Sequence, residues 1–91
     1  MKVYNMESRN GNKIANQFII DDGEWTYFQS YSSIIAKYPN FDDRKIVLDI
    51  NKWDYSVTTG KYRNIFLNET KSETEKKIKA GIYKLADLNH E

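Results

Sequence analysis

The side chains that could carry out chemistry are few. The chain of 91 residues has no cysteine and one histidine, His90. Nucleophilic catalysis needs an oriented base beside the nucleophile, and a histidine next to a chain end is poorly held for that task. Zinc requires several Cys or His ligands, so no metal is expected. Asp49 and Asp54 flank the Trp53 region, and such a carboxylate pair could serve acid–base work if it were close, buried and mutually perturbing. The plainer reading has Asp49 alternating outward on a strand and Asp54 capping a turn. Asp21, Asp22 and Glu24, and separately Asp42 and Asp43, lack the spacing of a calcium loop and read as solvated turn residues. Gly11, Gly23, Gly60 and Gly81 stand apart, without the pattern that cradles a phosphate. The expectation is therefore a protein with no catalytic residue and no cofactor, one that binds rather than reacts.

Binding has two sets of candidates. Lys and Arg number 14 against 13 Asp and Glu, a net charge of +1, which by itself implies neither a strongly basic nucleic-acid binder nor an acidic mimic of nucleic acid. The excess is uneven: through Asp54 there are seven basic and eight acidic side chains, and from Tyr55 onward seven and five. Lys71, Lys76, Lys77, Lys79 and Lys84 are the residues that would meet phosphates, against the simpler reading of a solvated helix face. Aromatic residues are the second set, because Tyr, Trp and Arg dominate interface energetics. With seven tyrosines in so short a chain, some must be exposed. The expected partner contacts are Tyr31, Trp53, Tyr55, Lys61, Tyr62 and Arg63.

These residues must be positioned by one small domain spanning residues 1–91, since no second core would fit. Asn10-Gly11 and Asp22-Gly23 are hairpin signals flanked by the strand-like segments KVYNMES, KIANQFII and EWTYFQSY. Two-residue loops would pair Val3 with Phe18 and Ile20 with Trp25, placing Val3, Ile14, Phe18, Ile20, Trp25 and Tyr27 on one face. Tyr4, Met6, Ala15, Ile19 and Phe28 would share the other. Neither face is cleanly polar, so helices should cover one, and a later segment or a partner part of the second. SSIIAKYP reads as a fourth strand ending at Pro39, with a short helix as the competing reading, and KIVLDI as a central fifth. A helix near 58–68, capped by Thr58 or Thr59, would align Tyr62, Ile65 and Phe66. A second helix over 72–88 would start at a Ser72/Glu75 capping box and carry Ile78, Ile82, Leu85 and Leu88. The fold class expected is α+β, an antiparallel meander of four or five strands with two helices on one face. No apolar run approaches the length of a membrane span, and a cytoplasmic location is the default.

The segments SYSSIIA at 30–36 and WDYSVTTGKYRNIFL at 53–67 resemble a small uncharacterised domain of phage, plasmid and low-GC Gram-positive bacterial proteins. Its pattern is approximately S-Y-x-S/T-x-I-A followed by W-x-Y-S-x-T-T-x-K-Y-x-x-x-F-L. The resemblance covers about residues 13–67 and implies no activity, while the lysine-rich helix that follows departs from the pattern. In size and character the chain is also similar to anti-CRISPR inhibitors. What this implies is a non-enzymatic protein of a mobile element that blocks or recruits a host or element protein, in its sharpest form a nucleoprotein nuclease complex of host defence. The alternative is a nucleic-acid-binding accessory or regulatory protein using the basic helix and exposed tyrosines. No membrane partner is expected, and a homodimer through a free strand edge stays open.

Overall fold

The computed structural model describes residues 1–89, so His90 lies outside the described residues. Strands β1 (Lys2–Glu7), β2 (Lys13–Asp21), β3 (Trp25–Ser30), β4 (Ser33–Pro39) and β5 (Val47–Asp49) form an antiparallel meander. Helices α1 (Val57–Leu67) and α2 (Lys71–Lys79) follow, and β6 (Lys84–Ala86) then joins the sheet parallel to β5. The strand order is β1-β2-β3-β4-β5-β6. The class is α+β as expected, with one strand more than the four or five read from the sequence.

Register differs from the ideal hairpins, and turn chemistry explains why. Gly23, at a φ of 93°, sits at the first central position of the β2–β3 turn, and Asp22 pairs with Trp25 across it. Asp22 also accepts the N–H groups of Glu24 and Trp25 on its carboxylate, fixing the turn one residue later than Asp22-Gly23 would place it. Ile20 consequently pairs with Tyr27, while in the first hairpin Val3 pairs with Ile20. In the first hairpin, Ser8 pairs with Asn12 around a loop in which Gly11 has a φ of 83°. A bulge then interrupts β2, with Asn16 in the left-handed region and Asn5 Nδ2 donating to the Ile14 carbonyl. This bulge turns Ile14 toward Met6 and Phe28, the opposite face from the one expected, and leaves Ala15 exposed.

Both helices begin at neighbouring residues to those expected. Ser56, rather than Thr58 or Thr59, caps α1 by accepting the Thr59 N–H at 3.1 Å, while the Thr59 hydroxyl is buried against Ser30 at 3.0 Å. Thr70 and Glu73, rather than Ser72 and Glu75, form the capping box of α2. α2 then stops at Lys79 instead of continuing to Leu88. Gly81, at a φ of 75°, donates to the Ile78 carbonyl and Ile82 to that of Lys77, a Schellman closure that redirects the chain into β6.

The core lies between the sheet and the helices. Tyr4, Ile19, Phe28, Ala36, Leu48 and Leu85 form a continuous row across all the strands, and Phe28, Ala36 and Leu48 are fully buried beneath Tyr62, Phe66, Leu67 and Ile78. Ile65, expected on the same face of α1 as Tyr62 and Phe66, is exposed.

Candidate functional site

On the helix side, Arg63, Lys71 and Lys77 are consumed by the fold. Arg63 is 1% exposed. Its Nη1 donates to the Trp53 carbonyl at 2.7 Å and to Asp54 Oδ1 at 3.1 Å, its Nη2 donates to Asn64, and the guanidinium lies 5.2 Å from the Trp53 ring centre. Lys71 reaches the other Asp54 oxygen at 2.7 Å. Burial pushes the Asp54 carboxyl up, but the hydrogen bonds from Lys71 and Arg63 outweigh it and hold it below its ordinary value. These residues line a shallow cleft of about 630 Å3 with Tyr55, Gly60 and Lys61.

A second polar node fastens α2 and β6. Glu69, with a side chain 3% exposed, accepts from Lys77 and Tyr83 at 2.7 Å each, and from Thr74. Desolvation alone would raise the Glu69 carboxyl, yet its three donors hold it below the usual range. Burial, followed by the neighbouring Glu69, pushes the Tyr83 hydroxyl up to about 12.

The residues expected to bind do not therefore form one surface. Arg63 is interior and Trp53 packs in the core, with Tyr62 against Phe28 and Met6. Tyr55 and Lys61 remain exposed, as does Tyr31, which occupies the β3–β4 turn at a φ of 57°. Among the lysines read as phosphate contacts, Lys71 and Lys77 pair with carboxylates, Lys76 and Lys79 lie exposed on α2, and Lys84 belongs to β6. The carboxylate pair is also divided. Buried Asp49 accepts the N–H groups of Asn51 and Leu88, whereas Asp54 serves Arg63 and Lys71. Among the described residues, no three metal-ligating side chains converge.

The opposite face of the sheet is built differently. A row adjacent to the buried one runs Val3, Ile20, Tyr27, Lys37, Val47 and Lys84, pointing away from both helices. Phe18 and Trp25 share this face. At its β4–β6 end is a groove of about 500 Å3, lined by Trp25, Lys37, Arg44, Lys45, Val47 and Lys84, and closed by the segment 86–88. Lys37 Nζ sits 3.9 Å from the Trp25 ring centre, and the Arg44 guanidinium is 4.5 Å from the same ring. Arg44 is anchored by Asp42 at 2.8 Å and Glu24 at 3.6 Å. Among the described residues Lys37, Lys45 and Lys84 form no ion pair, and Asp87 is the sole carboxylate lining the groove.

The sequence carried a signal for this face in the apolar character of both sides of the first three strands. It did not reveal Lys37, Arg44 and Lys45 beside Trp25, because strands separated by loops bring them together.

This architecture defines a small α+β sheet domain with one face under helices and one open. The chain belongs to a family of unknown function, DUF8033, which it matches over residues 1–81. The matched segment includes α2, so the lysine-rich helix is part of the family's extent rather than a departure from it, and Ile82, Tyr83, β6 and the residues after it lie beyond. No curated protein and no solved structure matches the chain.

Proposed function

We propose that the protein is a non-enzymatic binding module that blocks or recruits another macromolecule by laying the open face of its sheet against it. The observation that carries this reading is the row from Val3 to Lys84 on the face away from the helices, partly exposed at every position but the buried Val47, with the half-buried Phe18 and Trp25 beside it. A sheet with one solvated face ordinarily alternates polar residues onto that face. Contiguous apolar surface rimmed by charge marks interaction sites instead.

The resemblance of the motifs at 30–36 and 53–67 supports a mobile-element protein, and the chain's small size and character support action on a host or element protein in the cytoplasm. The sharpest form is an inhibitor of a host nuclease defence. Acting through this basic face, such an inhibitor would seat on an acidic surface of the nuclease rather than imitate its nucleic acid. The alternative of a nucleic-acid binder built on the C-terminal helix has less support, because Lys71 and Lys77 are paired and Lys84 lies on a strand.

A tagged pull-down from host lysate, treated with nuclease and washed at low and high salt, tests the reading. The wild type should retain a stoichiometric protein through both treatments, and an Ile20→Asp/Tyr27→Asp variant that still folds should lose it. Retention by that variant would refute docking through the open face. Loss of all captured protein on nuclease treatment would favour nucleic acid as the partner.

A further inference from the structure

Resting on that reading, we propose that the groove between Trp25 and Lys84 receives an acidic protein segment in which carboxylates alternate with apolar side chains. Three observations converge on this chemistry.

The first is charge. Lys37, Lys45 and Lys84 face the groove without carboxylate partners among the described residues, against the lone Asp87. By contrast, the cations of the helix-side cleft and node, Arg63, Lys71 and Lys77, each meet a carboxylate, and Lys61, Lys76 and Lys79, unpaired among the described residues, line no groove together. The unmatched charge is positive and the complementary occupant is an anion.

The second is preorganisation. Lys37 is held over Trp25, and Arg44 is held over the same ring by Asp42 and Glu24, so two of the cations are already placed before anything binds. The Asp22 carboxylate secures the hairpin carrying Trp25 by accepting the Trp25 N–H at 2.8 Å.

The third is the apolar share of the surface, which separates an acidic protein from nucleic acid. Val47, buried, floors the groove with the half-buried Leu88 beside it, and the half-buried Ile20 and exposed Val3 continue the same row outward. Aliphatic side chains offer a phosphate backbone nothing, but they suit the apolar residues of a protein strand. Single-stranded nucleic acid would use the aromatic rings as stacking platforms. The Trp25 ring instead carries Lys37 and Arg44.

Titration of the isotope-labelled full chain, followed by NMR, tests the proposal. The probes are a peptide of alternating Glu and Leu, polyglutamate and oligothymidylate. The alternating peptide should move the Trp25 indole and the amides of Lys37, Val47 and Ala86, leave the Trp53 indole in place, and bind more tightly than either other probe. Lys37→Glu/Lys84→Glu should weaken it by about tenfold or more while keeping a dispersed spectrum. Tighter binding of oligothymidylate at the same amides would overturn the proposal in favour of nucleic acid. Concentration-dependent shifts at this face without any probe would overturn it in favour of a second copy of the chain. If no probe binds although the Ile20→Asp/Tyr27→Asp variant loses its partner in the pull-down, the acidic occupant is wrong and the docking face stands. If the pull-down is indifferent to that variant, the docking reading itself has failed.

Discussion

The two faces of the sheet are built from adjacent rows of the same strands, and they hold their cations differently. On the helix side, Arg63, Lys71 and Lys77 of the helices each meet a carboxylate, and Phe28, Ala36 and Leu48, at the centre of the row beneath them, are fully buried. On the open face, Lys37 rests on an aromatic ring, and Lys45 and Lys84 meet no carboxylate among the described residues. Three cations are structural on the helix side, where Lys61, Lys76 and Lys79 stay unpaired among the described residues but share no groove, while three unpaired cations converge on one groove of the open face. What separates the two is the partner of each charge, which a residue count does not contain.

The largest effect that would test this contrast is on packing. Phe28→Ala should destabilise the protein by about 3–5 kcal/mol in urea unfolding, since Phe28 is fully buried under Phe66 with ring centres 5.6 Å apart. Phe18→Ala, one strand away on the open face and half-buried, should cost roughly 1 kcal/mol. Equal losses would mean that the open face is core.

Next come the cations. Arg63→Met removes charged hydrogen bonds from an interior site and should cost about 2–3 kcal/mol. Lys37→Met loses a surface cation–π contact and should cost less than about 1 kcal/mol, with its main effect on binding. The same unfolding measurement ranks the two.

Glu69→Gln should cost about 2 kcal/mol by weakening the bonds from Lys77, Thr74 and Tyr83. It should also change the pH dependence. The folded Glu69 carboxyl lies below its ordinary 4.5, so its contribution is complete above that pH and is lost as pH falls through the lowered folded value. Tyr83 works in the opposite direction. Its contribution is complete below the ordinary 10 and is lost as pH rises through about 12. In the variant, the loss of stability on acidification should be shallower, and near-UV absorbance should show the late-titrating tyrosine moving back toward 10.

The smallest effect concerns Tyr31, whose positive φ strains a residue with a Cβ. Tyr31→Gly should stabilise by about 0.5–1 kcal/mol, after allowing for the greater freedom glycine gives the unfolded chain. Since Tyr31 is in a turn outside the groove, partner retention in the pull-down should be unchanged. Loss of the partner would return the site to the contact residues read from the sequence.

The helix starts show how near and how limited a local reading is. Ser56, Thr58 and Thr59 all have capping side chains, and Thr70/Glu73 and Ser72/Glu75 are overlapping capping boxes. Ser56 wins because Thr59 is committed to Ser30 across the core. Thr70 wins in a structure where Thr74 and Lys77 must both face Glu69. At the other end of α2, Ile82, Leu85 and Leu88 mimic helical spacing, but Tyr83 and Leu85 also alternate as in a strand, and Gly81 provides the stop. The open face was legible as an apolar surplus on both sides of a meander. The groove within it was not, because Trp25, Lys37, Arg44 and Lys84 come from separate segments.

By itself the sequence determined the meander, the two turn regions, the presence of two helices and the α+β class, all of which follow from alternation, glycine and capping patterns acting over a few residues. Only the tertiary structure decided the bulge that sends Ile14 inward and the addition of β6. It also decided which lysines are spent on Asp54 and Glu69 and which face the groove. A three-residue strand has no stability until β5 is beside it, and a charge has no role until its neighbours across the fold are in place.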